Sequence, residues 1–244
     1  MRKAYLYILT IAMVCAMGCG GCGKNALPKF KTFEYERCVE GQYNITISYE
    51  SIANTSAKRA YAIIDSMNYH TTFGEYALEE PNIKLSAERM VDDTLASMDY
   101  YNVDDMMCEM HLYQVASLVR NNSVVCYDTV METNFGGIYP IVSHTYECYD
   151  LASGNIYDFG YLAEGEWSEA LYELLYAKLE AEHGDSILIS SPQTTHLPHA
   201  IYLTDTGITF QYQPYEIGSI DIGSISVEIS DEELTAAGVP IVWE

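Results

Sequence analysis

Residues 201–223 read IYLTDTGITFQYQPYEIGSIDIG, and the fold reading starts there. Apolar Ile201, Leu203, Ile208, Phe210 and Tyr212 alternate with polar neighbours around Asp205-Thr206-Gly207. A two-residue period with a turn at its centre predicts a hairpin with one buried face. Pro214 then removes a backbone donor, so the ladder must end or bulge, leaving Tyr215 and Glu216 at a bend. Tyr212, Tyr215 and Glu216 are the candidate binding residues. A phenol and a carboxylate held there could contact a basic protein or a glycan. Equally, Glu216 could accept backbone or tyrosine hydrogen bonds and pin the bend.

Ahead of the hairpin, Glu166 to His183 carries Trp167, Leu171, Leu174, Leu175 and Leu179 on one helical face, with Gly184 placed as a left-handed cap. Ser191 to His199 is a proline-marked loop. After the hairpin, Ile225, Val227 and Ile229 alternate as a last strand, and Ser230-Asp231-Glu232-Glu233 has capping-box spacing for a short helix stopped by Gly238 and Pro240.

Upstream, Thr32–Glu40 and Gln42–Glu50 alternate around Gly41 as a strand pair. Ser56–Tyr69 then takes helical spacing, with Asn54, Thr55 or Ser56 available as the cap. A second helix is predicted over 86–100, its Glu88, Asp92 and Asp93 early, where the helix dipole favours them. Strand patterns return at 107–119, 123–131 and 141–150, joined by the tight turn Arg120-Asn121-Asn122 and a longer loop, 133–140. Centring that loop near Gly137 sets Cys126 opposite Cys148, a pair that could form a disulfide in an oxidising compartment. The fold class that results is α+β: antiparallel sheets with helices packed on one face, in two small subdomains, 32–161 and 162–244.

The 244 residues are 49% hydrophobic, enough for a real core, and carry 12 Lys and Arg against 35 Asp and Glu, a net charge of -23. That balance argues against nucleic acid and anionic lipid surfaces and in favour of basic partners. Tyrosine is abundant, 22 residues against 6 Phe and 2 Trp, which suits partly covered sheets as well as interfaces and sugar platforms. Residues 1–18 combine Arg2 and Lys3 with an apolar run and small residues, the form of a secretory leader. Ala16-Met17-Gly18-Cys19 resembles a bacterial lipobox, making Cys19 the lipidation site and 19–31 a flexible tether; ordinary cleavage without a lipid is the alternative. With Cys15 and Cys19 accounted for, five cysteines remain, so at least one stays free, most simply Cys22. His196-Leu-Pro-His199 cannot take helical metal-binding spacing, and no catalytic, cofactor or metal motif is found.

The YxPYEI(G/A) pattern met by Tyr212 to Gly218 resembles the C-terminal domain of extracytoplasmic proteins such as the lysozyme-sensing anti-sigma factor RsiV and the deacetylase PdaC. Upstream, Asn134-Phe-Gly-Gly-Ile-Tyr-Pro140 and Asp150-Leu-Ala-Ser-Gly-Asn155 resemble the loop and turn of the domain that precedes it in PdaC-like proteins, with Tyr139 where the family has histidine. The deacetylase domain and the sigma-binding segment of those relatives have no counterpart here, so the resemblance implies neither activity. Taken with the lipobox, the charge and the tyrosines, it leads to the expectation of a membrane-anchored extracytoplasmic lipoprotein that binds a cell-envelope partner without catalysis, lysozyme or another basic protein first, peptidoglycan glycan second, and an unrecognised cell-wall hydrolase last.

Overall fold

The computed structural model describes residues 26–100, 108–136 and 140–243. The leader, Cys19, Cys22 and Tyr139 lie outside the described residues. Two compact units emerge, and neither is a single run of chain. The first takes Met1–Ala116, Tyr127–Val142 and Leu151–Asn155; the second takes Ser117–Cys126, Ser143–Asp150 and Ile156–Glu244. Each of three long strands contributes residues to both.

In the first unit, β1 (Phe30–Val39) and β2 (Tyr43–Ile52) pair antiparallel, Phe30 opposite Ile52 and Val39 opposite Tyr43. Helices α1 (Arg59–Phe73) and α2 (Ile83–Tyr100) follow, then β3 (Cys108–Val119), β4 (Val124–Phe135) and β5 (Ile141–Asp150). The sheet order is β1-β2-β3-β4-β5. The expectation of purely antiparallel sheets is corrected at one place: β2 and β3 run parallel, Tyr43 opposite Cys108 and Ser48 opposite Tyr113. The cause is the crossover, because a parallel neighbour needs a long connection and α1 with α2 supplies one. Both helices lie on one face of the sheet, where Ile45, Ile47, Tyr49, Met110 and Leu112 bury against Tyr69, Phe73, Ala87, Met90 and Val91.

Three local expectations change. Asn54 does not cap α1, which begins at Arg59 after a short 3-10 turn. Its side chain instead accepts from Lys29 N (2.7 Å) and donates to the Leu27 carbonyl (3.1 Å). Tyr61 donates to the Ala26 carbonyl at 2.7 Å, so residues 26–31 are bound structure rather than tether. Finally, α2 starts at Ile83, which leaves no acid in its first turn; Asp92 pairs with Arg37 of β1 instead. In the middle of this unit a buried amide pair is fully engaged. Gln114 donates to Asn68, Thr72 and Thr129, and Asn68 donates to Tyr49 and the Glu50 carbonyl, as buried polar groups must be.

The second unit holds α3 (Ser168–His183), β6 (Ala200–Leu203), β7 (Gly207–Tyr212), β8 (Ile225–Ser230) and α4 (Asp231–Ala236). β7 is central and antiparallel to both neighbours, Leu203 opposite Ile208 and Phe210 opposite Val227. Leu171, Leu175 and Leu179 of α3 share one core with Ile208, Phe210 and Tyr212. The hairpin differs from the half-covered pattern expected: every residue of β7 is buried, Thr209 and Gln211 included. Gly207 is required, because a Cβ there would overlap the Ile229 carbonyl. Ser230 and Glu233 close the capping box of α4 reciprocally, Glu233 N to Ser230 Oγ at 3.3 Å and Ser230 N to Glu233 Oε2 at 2.9 Å.

Cys126 and Cys148 are bonded, their Cα atoms 4.1 Å apart, and both are buried in the core of this unit. Cys38 and Cys108 are both free, so more than one thiol stays unpaired. They flank β2, Cys38 opposite Asn44 and Cys108 opposite Tyr43, and two strand spacings of about 4.8 Å exceed disulfide reach. Arg120, at φ 56 in the left-handed turn with Asn121 (54) and Asn122 (60), forks onto Asp231 and donates to the Gly207 carbonyl at 2.6 Å. Its guanidinium also lies 5.8 Å over Trp243. Among the described residues no helix is long and apolar enough to cross a membrane.

Candidate functional site

β7 ends at Tyr212, and the next four residues form a closed turn. Glu216 N donates to the Gln213 carbonyl at 3.0 Å, Pro214 stands at the second position and Tyr215 at the third with φ 70. Proline second and positive φ third define a type II turn, whose third position ordinarily belongs to glycine or asparagine. The irregularity expected from Pro214 is therefore a tight turn, not a bulge. A tyrosine in this backbone region costs about 1–3 kcal/mol and persists only where its surroundings impose it.

Glu216 supplies much of that constraint. Its Oε2 accepts from Gln213 N at 2.8 Å and its Oε1 meets His196 Nε2 at 3.1 Å. The pinning role thus falls to backbone and imidazole donors, with no tyrosine involved. Tyr212 is fully buried, and its hydroxyl donates to the His196 carbonyl at 2.7 Å. Its ring meets the His196 ring edge-on at 5.5 Å. Burial first, then the nearby Glu216 charge, raises the Tyr212 pKa, so the phenol stays a donor. Tyr212 is corrected from a partner-contacting residue to an internal post, because none of its surface is left to touch anything else. Tyr215 is the opposite case, 63% exposed.

A second fastening comes from Gln213. Its side-chain amide takes the part of a neighbouring strand: Oε1 accepts from His144 N at 2.9 Å and Nε2 donates to the His144 carbonyl at 2.8 Å. Two residues on, Tyr146 donates to Gln211 Oε1 at 2.7 Å and stacks on Tyr202, ring centroids 4.1 Å apart and 25° between planes. His144, Tyr146 and Gln213 carry no local sequence signal for this role. Their partners lie more than fifty residues away, beyond the reach of any periodicity.

Residues 162–232 match the DUF3298 family, described as a protein of unknown function. The DUF3298 match contains His196, Gln211, Tyr212, Gln213, Tyr215 and Glu216; it leaves out His144 and Tyr146. Two solved DUF3298-family structures share the architecture. One, from Bacteroides fragilis, is 17% identical with a TM-score of 0.65, over 85% of this chain and 92% of that one. The other, from Pseudomonas aeruginosa, is 14% identical with a TM-score of 0.57, over 90% of this chain and all of that one. At these identities the likeness is one of fold. No curated protein matches the chain.

Proposed function

We propose that the chain is a lipid-anchored, extracytoplasmic binding protein of the cell envelope, without catalytic activity, that takes a basic protein on the surface bearing Tyr215. Lysozyme is the sharpest candidate. The observation that carries this reading is the exposed tyrosine of the type II turn. A large aromatic side chain kept at positive φ, where glycine would cost less, is strain retained for what the ring does outside the molecule. The net charge of -23 supports a basic partner through electrostatic steering. The leader-like residues 1–18 and Cys19 support export and anchoring, and the resemblance to RsiV-type domains supports lysozyme.

Titrating the chain with lysozyme at low and at moderate salt tests the proposal. Binding is expected at both and is expected to fall at least about tenfold in Tyr215→Ala, as for a central aromatic contact. No binding at either salt concentration discards lysozyme as the partner. Recovery of the protein in the cytosol with an intact leader would end the envelope reading.

A glycan is the second reading, favoured by the stacked Tyr146 and Tyr202 rings. Sedimentation with purified cell wall separates it from the first. A hydrolase reading requires turnover that Glu216→Gln abolishes without loss of fold; both Glu216 oxygens already have partners, Gln213 N within the turn and His196 Nε2 from outside it.

A further inference from the structure

In the first unit the helices cover one face of the sheet, and the register says what stands on the other. Glu34, Ser48 and Tyr113 align across β1, β2 and β3, as do Glu36, Thr46 and His111, and Cys38, Asn44 and Glu109. Glu50 sits opposite Thr32 at the same parity. Of the side chains on this face of the three strands, four are carboxylates and none is Lys or Arg. The one group able to become cationic, His111, has its Nδ1 against Thr46 Oγ1 at 2.7 Å. Two of the carboxylates are also held in place: Glu34 accepts from Ser48 at 2.8 Å and Glu50 from Ala116 N at 2.7 Å. On β3, an interior strand of the sheet, Tyr113 is 43% exposed and Val115 54%.

Large apolar side chains on an interior strand, bordered by fixed negative charge, describe a recognition face rather than a merely solvated one. The charge decides what can sit there. A second copy would bring Glu34 and Glu36 against its own, and an anionic lipid surface would be repelled. We infer that this outer sheet face is a second docking surface, for a cationic protein that sets an apolar contact on Tyr113 and Val115 and basic side chains on Glu34, Glu36, Glu50 and Glu109. It is independent of the Tyr215 turn.

The test uses the full chain and two cationic probes, lysozyme and cytochrome c, the latter having no relation to the cell wall. At moderate salt, Tyr113→Thr with Val115→Thr is expected to weaken cytochrome c binding at least about tenfold. Threonine keeps the strand propensity at both positions, and a thermal melt confirms folding. Glu34→Gln with Glu36→Gln, which leaves the sheet's apolar face alone, is expected to weaken binding about threefold or more and to flatten its salt dependence. The inference is overturned if cytochrome c does not bind the wild-type chain, if both sheet-face variants bind it like wild type, or if the chain self-associates through this face in a manner that Tyr113→Thr/Val115→Thr abolishes. Cytochrome c binding without lysozyme binding would remove lysozyme as the partner while leaving the sheet face standing.

Discussion

Tyr215 gives the sharpest residue-scale prediction, because its backbone and its side chain serve different ends. Tyr215→Gly relieves the positive-φ penalty at some cost in unfolded-chain entropy, so the melting temperature is expected to hold or rise while partner binding falls. Tyr215→Val, whose branched Cβ tolerates this region worst, should lose about 1–2 kcal/mol of stability in a denaturant titration. Glu233 gives a second, in acid. The Lys178 ammonium, 2.8 Å away, and the Ser230 N–H hold its pKa at about 2, below the ordinary value near 4.3. A depressed folded-state pKa means the contribution is complete above the unfolded value and is lost as pH falls from about 5 towards 2. Glu233→Gln keeps the capping-box geometry and removes the charge, so it should flatten stability against pH across that window and lower stability above it, where the charge contributes in full. At this scale the sequence disclosed Pro214, Tyr215 and Glu216 as a break in a strand, because proline acts locally. It could not disclose that Tyr212 turns inward or that Gln213 grips His144, since both depend on which distant strand arrives beside them.

Among the elements, β1 is the exposed edge of the five-stranded sheet and ten residues long, a form that invites pairing with another chain. Antiparallel pairing of two copies that keeps their outer faces on one side sets Glu36 against Glu36 or Glu34 against Glu36, which like charge opposes. Replacing both by valine is therefore expected to produce dimers or larger species in sedimentation at concentrations where the wild type shows none. The disulfide staples β4 to β5 across 22 residues of chain; closing a loop of that size is worth about 3 kcal/mol. Reduction, or Cys126→Ala with Cys148→Ala, should lower the melting temperature accordingly. Strands and helices were legible wherever periodicity was strong, as in β1, β2, α3 and β8. The parallel β2–β3 pair was not, because the sense of a pairing is set by where a crossover returns rather than by either strand's own pattern. Full burial of β7 was likewise hidden, since Thr209 and Gln211 read as polar and outward until a covering layer is known.

For the molecule as a whole, 35 acidic residues against 12 basic ones make self-repulsion a standing cost to the folded state. Raising sodium chloride from about 10 mM to about 150 mM, where screening reaches within about 8 Å, should raise the melting temperature while weakening association with any cationic partner. Opposite responses to one variable separate folding from binding in a single titration series. The segment ahead of β1 adds a mechanical corollary. Since Ala26 is tied to Tyr61 and both Leu27 and Lys29 are tied to Asn54, tension reaching the fold from its amino-terminal side would arrive first on the opening turn of α1 and the residues just before it. Those three bonds would be pulled before the β1–β2 ladder, a sacrificial knot that lets a tug be absorbed while the sheet behind it stays zipped.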